Sequence, residues 1–392
     1  MSDAPISMLL EPTEEEKLLR ESVFAICSKY GANYMRECKA DNVPPVELWD
    51  ELAEGGFLGV NLPTEYGGGG MGMTGLAAVN EEITAAETTL ALIIVSPAIA
   101  GSILVKHGSV EQKQVWLPGL AAGTTKIAFA VTEADAGSNT HMLSTNATRN
   151  DDKTWTINGQ KTFISGVEHA DTILVVARAR LEDGQLGLPL LFLVPTDAGG
   201  LSRQPVPTTL PWAEWQWTLF FDNVVISEDR LIGGDMGGLA ALFDGLNPER
   251  IMGAAGGVAA AKLALDKATA YANTREVWGT PIGTHQAIAH PLAEIYIEWA
   301  QARLMLQKAC ALYDAGAKGA GEAANMAKFA AGEVAVRAAD RAIQTHGGNG
   351  MTEEFGLTHL WLGARLIQIA PVSREMILNY VAQHSLGLPK SY

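Results

Sequence analysis

The spacing of apolar residues changes twice along the chain, and each change predicts a different kind of secondary structure. From Thr13 to about residue 122, apolar residues recur every three or four positions, as in "TEEEKLLRESVFAICSKY", which is typical of helices. From about residue 125 the apolar runs are short and strand-like, as in "KIAFAVT" and "TILVVARAR". From about residue 236 helical spacing returns, in segments as long as "AEIYIEWAQARLMLQKACALY".

These changes predict an α+β protein of three domains. We expect an N-terminal α-helical domain at 1–122, a middle antiparallel β domain at 123–235 and a C-terminal four-helix-bundle domain at 236–392. No helix-length segment separates the predicted strands, which favours an antiparallel sheet or small barrel over a parallel doubly wound sheet. Within the β region, Asn158 and Gly159 predict a two-residue hairpin turn. A stripe of small residues predicts close helix packing in the last domain: Ala327, Ala331, Val334 and Ala338.

The chain carries a formal net charge of −16, from 28 Lys and Arg against 44 Asp and Glu. That balance leaves little basic surface for nucleic acid or an anionic membrane, so any anionic ligand must be held by a few placed cations. The three scattered cysteines and the absence of paired histidines predict neither a disulfide framework nor a metal site.

Two stretches bear on membranes and targeting. The acidic start, "MSDAPISMLLEPTEEEKLLR", resembles neither a signal peptide nor an Arg-rich transit peptide, which predicts a cytoplasmic protein. The most apolar stretch, "TTLALIIVSPAIAGSILV" from Thr88, is interrupted by Ser96, Pro97 and Gly101. Those interruptions predict two buried helices and no membrane span.

The segment "GLNPERIMGAAGG" sets a single carboxylate among small and apolar residues. Asn247 is a good N-cap and Pro248 suits the first helical position, so Glu249 would face the positive end of a helix dipole. That is a sufficient structural reason for an acid at this position. Catalysis is the alternative, and it depends on the rest of the chain.

Five other segments combine glycine or small residues with polar side chains. "FAVTEADAGSN" predicts a strand that enters a ligand-binding loop with Thr132 and Ser138, although an ordinary strand end has the same pattern. "KTFISG" puts Phe163 and Ser165 on one face of a strand, as a platform for a flat heterocycle requires. "TREVWG" and "THQAI" add an arginine and an amide. "QTHGGNG" is typical of a helix C-cap.

In this order, these segments and "GFLGVNLPTEYGGGG" resemble the acyl-CoA dehydrogenase family over nearly all 392 residues. The resemblance implies an FAD-dependent enzyme that oxidises an acyl-CoA to a trans-2-enoyl-CoA and passes electrons to an electron-transfer flavoprotein. It also implies a homotetramer built as a pair of dimers, with FAD between the β domain and the C-terminal bundle.

The resemblance assigns individual residues to the cofactor and the substrate. It implies flavin-ring contacts from Thr132 and from the backbone around Phe129 and Val131, with Phe163, Ser165 and Ser373 also at the cofactor. For the diphosphate and adenosine of FAD, reached across the dimer interface, it implies Arg275, Trp278, Gln286, Gln344, Gly347 and Gly348. For acyl-CoA it implies Ser138, Asn247 and Arg250.

The position of the family's usual base is vacant in this chain. Most members carry that glutamate in an I-x-E-G-T segment near the C-terminus, where this chain has Pro371 followed by Val372. Glu375 lies four residues further on, where we expect an acid in the first turn of a helix. The isovaleryl-CoA and long-chain enzymes instead carry the base in an L-x-x-E-R segment, which "LNPERI" matches, so the resemblance implies Glu249 as the base.

Two departures leave alternatives open. Proline has no N–H, so one donor to the thioester oxygen is missing at Pro371, and Val372 could replace it. The segment "PWAEWQW" replaces a short Arg/Ser/Thr-containing one, and its three tryptophans could pack between sheet and bundle or form a substrate wall. Two other functions share the fold: a flavin-dependent monooxygenase, and a catalytically silent subunit of a mixed complex.

Overall fold

The computed structural model describes residues 11–390. Six α-helices form the first part of the chain: α1 Glu14–Cys27, α2 Gly31–Asp41, α3 Val46–Glu54, α4 Gly72–Ala85, α5 Ser102–His107 and α6 Val110–Ala121. The helix α1 begins as its sequence predicts, because the Thr13 hydroxyl accepts a hydrogen bond of 3.1 Å from the Glu16 N–H. This part packs directly on the last helices of the chain, since α4 contacts the long helix α7, Gly234–Thr274.

The apolar stretch before α5 is helical throughout its second half. Wide π-helical turns cover Ile94–Gly101 and run directly into α5, so the two predicted helices join without a break. Pro97 lies inside these turns, and Ser96 accepts a 3.0 Å hydrogen bond from the Ile127 N–H. Within residues 11–390, no helix is long and apolar enough to cross a membrane.

The middle of the chain forms one eight-stranded sheet. Its strands are β1 Ile127–Ala130, β2 Asn146–Arg149, β3 Thr154–Ser165, β4 Thr172–Arg180, β5 Leu186–Pro195, β6 Leu201–Val206, β7 Gln216–Ser227 and β8 Leu231–Ile232. Their order is β6-β7-β3-β2-β4-β5-β8, with β1 on β4. Most pairs are antiparallel as predicted, but β4 pairs in parallel with both β1 and β2, so the sheet is mixed.

The predicted hairpin turn at Asn158 and Gly159 is wrong. Both residues lie inside β3, at a bulge where its pairing with β7 shifts between Ile157 and Gly159. The Asn158 carboxamide oxygen accepts a 2.9 Å bond from the Asn223 N–H on β7, and a β-carbon on Gly159 would lie 2.6 Å from Thr145. The glycine is therefore required by a close backbone approach and not by a turn.

The last part of the chain is helical. After α7 come a short hairpin, β9 Glu276–Val277 and β10 Thr280–Pro281, and the helices α8 Gln286–Asp314, α9 Ala320–His346, α10 Leu357–Ile369 and α11 Arg374–Tyr380. The predicted small-residue stripe of α9 is buried against α7: a β-carbon on Gly257 would lie only 3.0 Å from that of Ala331. The three-part α, β, α architecture predicted from the sequence is confirmed.

The predicted helix start at Asn247 is also wrong. The helix α7 is 41 residues long and contains Pro248 in its interior, so Glu249 lies in mid-helix and not at a positive helix end. Packing against α4, α8, α9 and α10 maintains the helix through the proline. The dipole explanation for an acid at this position is thereby removed.

Candidate active site

A cavity of about 960 Å³, including its solvent-open part, lies between α2, α4, α7, α10 and the loop before β7. Its wall on α7 includes Gly253, Gly256, Ala260 and Leu263, which recur at helical spacing and so share one face. Trp212 supplies part of the opposite wall. Part of the cavity is open to solvent, so a small molecule can enter it.

Glu249 is on the same face of α7, one turn before Gly253. Its side chain is half-buried and forms no hydrogen bond with another residue of 11–390. Burial raises the pKa of the Glu249 carboxyl to about 7, against the opposing effect of the Arg250 and Lys328 charges. Glu249 is therefore a carboxyl with free lone pairs at the end of the cavity face.

Lys328 of α9 is a buried cation that the motif analysis did not identify. Its side chain is 1% exposed, and its ammonium donates to the carbonyl oxygen of Val372. Burial lowers the pKa of Lys328 to about 8, and the nearby Arg250 charge acts in the same direction. A charged residue inside the otherwise small and apolar stripe of α9 was the signal available in the sequence.

Pro371 lies beside α7, near the turn that follows Glu249. A β-carbon on Gly253 would lie 3.4 Å from Cδ of Pro371, so the vacated base position and Glu249 are about one helical turn apart. The loop after Pro371 is held by Lys328 at Val372 and by Glu333, which accepts a 2.9 Å bond from Nε of Arg374. Among the described residues, none accepts a hydrogen bond from the Val372 N–H.

Arg250 and Asn247 lie on α7 on either side of Glu249 in sequence. The guanidinium of Arg250 donates a 3.0 Å bond to the Asn247 carboxamide oxygen, while its buried Nε has no partner among residues 11–390. Burial lowers the pKa of Arg250. A buried guanidinium with an unused donor fits an acceptor atom of a ligand.

The sheet supplies a second group of predicted residues. Phe129 is buried within β1, and the half-buried Thr132 just beyond the strand has a hydroxyl without a partner among the described residues. Phe163 has φ +57 at an irregularity of β3 and is 59% exposed. A bulky residue in the left-handed region is strained, and such strain concentrates at functional sites.

A buried ion pair, which sequence reasoning missed, joins these two segments. Lys161 of β3 is fully buried and donates to Glu133 at 2.8 Å and to the Val131 carbonyl at 2.9 Å. Burial works to raise the pKa of Glu133, but the Lys161 ammonium and further hydrogen bonds lower it to about 2. Glu133 lies in "FAVTEADAGSN" and Lys161 in "KTFISG". A charged residue next to an apolar run indicates that it needs a partner, and this was the signal in the sequence.

A third group gathers at the far end of the C-terminal bundle. Arg275 caps α7, Trp278 lies at the tip of the β9–β10 hairpin with φ +54 and 89% exposure, and Gln286 begins α8. The turn at Gly347 and Gly348 ends α9, as the C-cap interpretation predicts. The ends of α7 and α9 meet where Tyr271 stacks on His346, with ring centroids 4.2 Å apart. The group also includes Gln344, and its members are exposed.

The remaining predicted residues have mixed surroundings. Ser138 is exposed in the loop after β1. Ser165 pairs with the Gln216 amide at 2.9 Å, and Ser373 accepts a 3.3 Å bond from the Met376 N–H as the N-cap of α11. Glu375 is an exposed acid in the first turn of α11, as predicted.

The three tryptophans of "PWAEWQW" have different surroundings, so packing on the sheet and lining of a substrate wall both occur in this segment. The indole of Trp217 donates to Glu168 and its ring lies 4.8 Å from the Arg203 guanidinium, which is packing on the sheet. Trp212 instead lines the cavity: a β-carbon on Gly363 of α10 would lie 3.9 Å from its Nε1. Trp215 lies 6.4 Å from Trp217, centroid to centroid.

Comparison with known proteins identifies the family. The chain matches the acyl-CoA dehydrogenase N-terminal domain over residues 13–124, the middle domain over 128–224 and the C-terminal domain over 236–386. It is 51% identical to the acyl-CoA dehydrogenase FadE12 of Mycobacterium tuberculosis, covering 97% of this chain and 98% of that one.

Solved structures agree with this assignment. A glutaryl-coenzyme A dehydrogenase in complex with glutaryl-CoA superposes with a TM-score of 0.91 at 29% identity, covering 98% of each chain. A glutaryl-CoA dehydrogenase from Mycobacterium smegmatis in complex with FADH2 superposes with a TM-score of 0.88 at 25% identity, covering 97% of this chain and 96% of that one. The chain therefore belongs to the acyl-CoA dehydrogenases, a family of flavin-dependent oxidoreductases.

Proposed function

We propose that this protein oxidises an acyl-CoA thioester to a trans-2-enoyl-CoA, with FAD as cofactor and with Glu249 removing the α-proton. One observation carries the proposal: a half-buried carboxyl without a hydrogen-bond partner in the described chain continues the cavity-lining face of α7. The relatives named above are dehydrogenases, which supports this reaction over hydroxylation or a silent subunit.

Glu249 has the properties that a general base needs. Its pKa of about 7 is close to neutral pH, where a base is both ionised and able to hold a proton. The Arg250 and Lys328 charges keep that pKa from rising further. Because Pro371 is about one helical turn away, a substrate placed for a base at that position is also within reach of Glu249.

The thioester oxygen needs a donor as negative charge develops on it. We assign this role to the Val372 N–H, which has no acceptor among residues 11–390. Lys328 binds the carbonyl oxygen of the same residue, which restrains Val372 on the side of the following peptide group. Asn247, Arg250 and Ser138 remain the proposed contacts to the rest of acyl-CoA.

The sheet residues fit a flavin. The strained, exposed Phe163 ring offers an apolar face, and the Thr132 hydroxyl offers an unused polar group beside it. The Lys161–Glu133 pair fixes the loop that carries Val131 and Thr132. When bound, FAD supplies the acceptor for the hydride from the β-carbon. Other contacts are assigned to Phe129, Ser165 and Ser373.

The third group supports a homotetramer. Arg275 lies about 39 Å along α7 from Glu249, so one flavin ring cannot contact both residues. We propose that Arg275, Trp278, Gln286, Gln344, Gly347 and Gly348 bind the diphosphate and adenosine of an FAD held by a second copy. An 89% exposed Trp278 is consistent with a residue that a partner covers. Electrons would leave to an electron-transfer flavoprotein, and 1–122, 123–235 and 236–392 are the proposed domains.

A matched pair of variants tests the base. We expect Glu249→Gln to keep bound flavin and to slow its anaerobic bleaching by acyl-CoA at least about 100-fold, as the loss of a general base does. Glu375→Gln changes a nearby exposed acid in the same way and should leave the rate within about twofold. A normal bleaching rate in Glu249→Gln would remove this residue from the mechanism.

A further inference from the structure

We propose that the substrate's acyl group is long, and that its hydrocarbon tail runs from Glu249 along α7 into the cavity toward a charged rim. This inference rests on the proposed acyl-CoA oxidation at Glu249. It adds the substrate class, which neither the fold nor the position of a base determines.

The cavity continues the face of α7 that carries Glu249. From Glu249 the cavity-lining positions follow at steps of four, three, four and three residues, ending at Leu263. Because Gly256 lacks a β-carbon and Ala260 has only a methyl group, the space beside this part of the helix stays open. From Gly253 to Leu263 the lined stretch is about 15 Å long.

The open space depends on glycine at one position in particular. A β-carbon on Gly256 would lie 3.6 Å from Nδ2 of Asn80 and 3.9 Å from Oγ1 of Thr84, both on α4. A single methyl group would fit there, whereas a larger side chain would enter the cavity. Protein interiors are normally close-packed, so an opening of this extent between helices, part of it reached by solvent, leaves room for a ligand.

The walls match a hydrocarbon along most of this length. Large apolar side chains of the wall come from five parts of the fold: Met35, Ile94, Trp212, Met252, Leu360 and Ile367. The ionisable lining residues are Arg36, Glu87 and His359. Glu87 forms an ion pair with Lys267, four residues beyond Leu263 on α7, so it marks the end remote from Glu249.

The length favours a long chain over a short one. Three bonds of an extended peptide span about 3.5 Å, which is roughly 1.2 Å per bond, so about 15 Å holds roughly twelve bonds of an extended chain. A butyryl group has one carbon beyond its β-carbon and would leave nearly all of this apolar surface uncovered. Each buried methylene strengthens binding about fourfold.

Binding to a protein that cannot turn over measures this directly. We would titrate flavin-loaded Glu249→Gln with butyryl-CoA and with lauroyl-CoA by calorimetry. The expected result is a lauroyl-CoA affinity at least about 100-fold higher, since several methylenes enter the cavity. Equal affinities would overturn the inference and leave the proposed reaction standing. If neither thioester bound, and neither bleached the flavin of the unmodified protein, the proposed function itself would fail.

A second pair of variants tests whether the cavity causes the higher affinity for lauroyl-CoA. In the same background, Gly256→Leu should lower the ratio of lauroyl-CoA to butyryl-CoA affinity at least about tenfold, because the new side chain occupies the tail's path. Ala270→Leu adds the same side chain at an exposed position of α7 and should leave the ratio unchanged. An unchanged ratio in Gly256→Leu would contradict the path. If that variant does not fold, Gly256→Val applies the same test with a smaller side chain.

Discussion

Glu249 and Glu214 are both carboxyl groups whose pKa burial raises to about 7, yet their surroundings differ. Glu214 is 6% exposed in the loop before β7, and it accepts a 3.3 Å hydrogen bond from the Leu92 N–H. Glu249 is half-buried, accepts no hydrogen bond from the described residues and continues a cavity-lining face. One carboxyl is enclosed and holds a backbone segment, and the other is open to a ligand.

A raised pKa alone therefore does not identify a general base. Desolvation acts on any carboxyl taken out of water, whether or not a substrate can reach it. Access and geometry separate the two cases. Burial of Glu214 should therefore affect the free energy of unfolding, whereas burial of Glu249 should affect the rate of flavin bleaching.

The largest expected effect concerns stability at Glu214. Its folded pKa is raised above the ordinary value of 4.5, so the folded protein binds more protons than the unfolded chain between about pH 4.5 and pH 7. Stability therefore falls as the pH rises through that window. We expect Glu214→Gln to remove roughly 2–3 kcal/mol of this loss between pH 5 and pH 8.

Denaturant unfolding of both proteins at the two pH values measures this difference. Glu249→Gln should change the pH dependence of the free energy of unfolding less than Glu214→Gln does, because the Glu249 side chain is only half-buried and solvent screens its charge. A Glu214→Gln protein with the same pH dependence as the unmodified protein would show that Glu214 ionises normally.

The second prediction concerns the pH dependence of the rate. A general base works only when deprotonated, so flavin bleaching should fall toward tenfold for each pH unit well below pH 7, or about 50-fold from pH 7 to pH 5. Stopped-flow absorbance over that range provides the profile. The same profile is expected in Glu214→Gln, because that carboxyl takes no part. A profile altered by Glu214→Gln would break the distinction between the two glutamates.

The third and smallest effect concerns Lys328, whose charge acts on the pKa of Glu249 and not on that of Glu214. Lys328→Met leaves the Val372 carbonyl without its donor, at a cost of about 1–3 kcal/mol in the free energy of unfolding. It also removes a positive charge that lowers the pKa of Glu249, so the acid limb of the rate profile should move to higher pH.

The control for this variant is Lys262→Met, whose ammonium pairs with Asp266 on the outside of α7. It should cost under about 1 kcal/mol and leave the rate profile in place. A stability loss in Lys328→Met with an unshifted acid limb would restrict Lys328 to a structural role.

The sequence predicted the architecture well because each segment's apolar spacing agrees with its final packing. The α, β, α order and the buried stripe of α9 follow from spacing alone. Local turn and cap signals were less reliable. Asn158–Gly159 has hairpin chemistry, but pairing with β7 on both sides of the bulge holds it inside a strand. Pro248 suits a helix start, but neighbouring helices keep α7 intact through it.

The site was predictable in its segments and not in its internal contacts. Glu249 and Phe163 came from the resemblance, and the structure adds the exposed, strained ring and the unpartnered carboxyl. Lys161–Glu133 and Lys328–Val372 join residues distant in sequence. Local spacing contains no information about such pairs, although a charge in an apolar segment indicates that a partner is needed.

Exchange of the substrate's α-hydrogen tests the central claim most directly, because it reports proton removal without hydride transfer. Acyl-CoA deuterated at the α-carbon would be incubated anaerobically with protein whose bound flavin has been reduced, so that no hydride can be accepted, and loss of deuterium to water would be followed by NMR. We predict exchange with the unmodified protein and with Glu214→Gln, and at least about 100-fold slower exchange with Glu249→Gln. Undiminished exchange with Glu249→Gln would contradict the assignment of this carboxylate as the base.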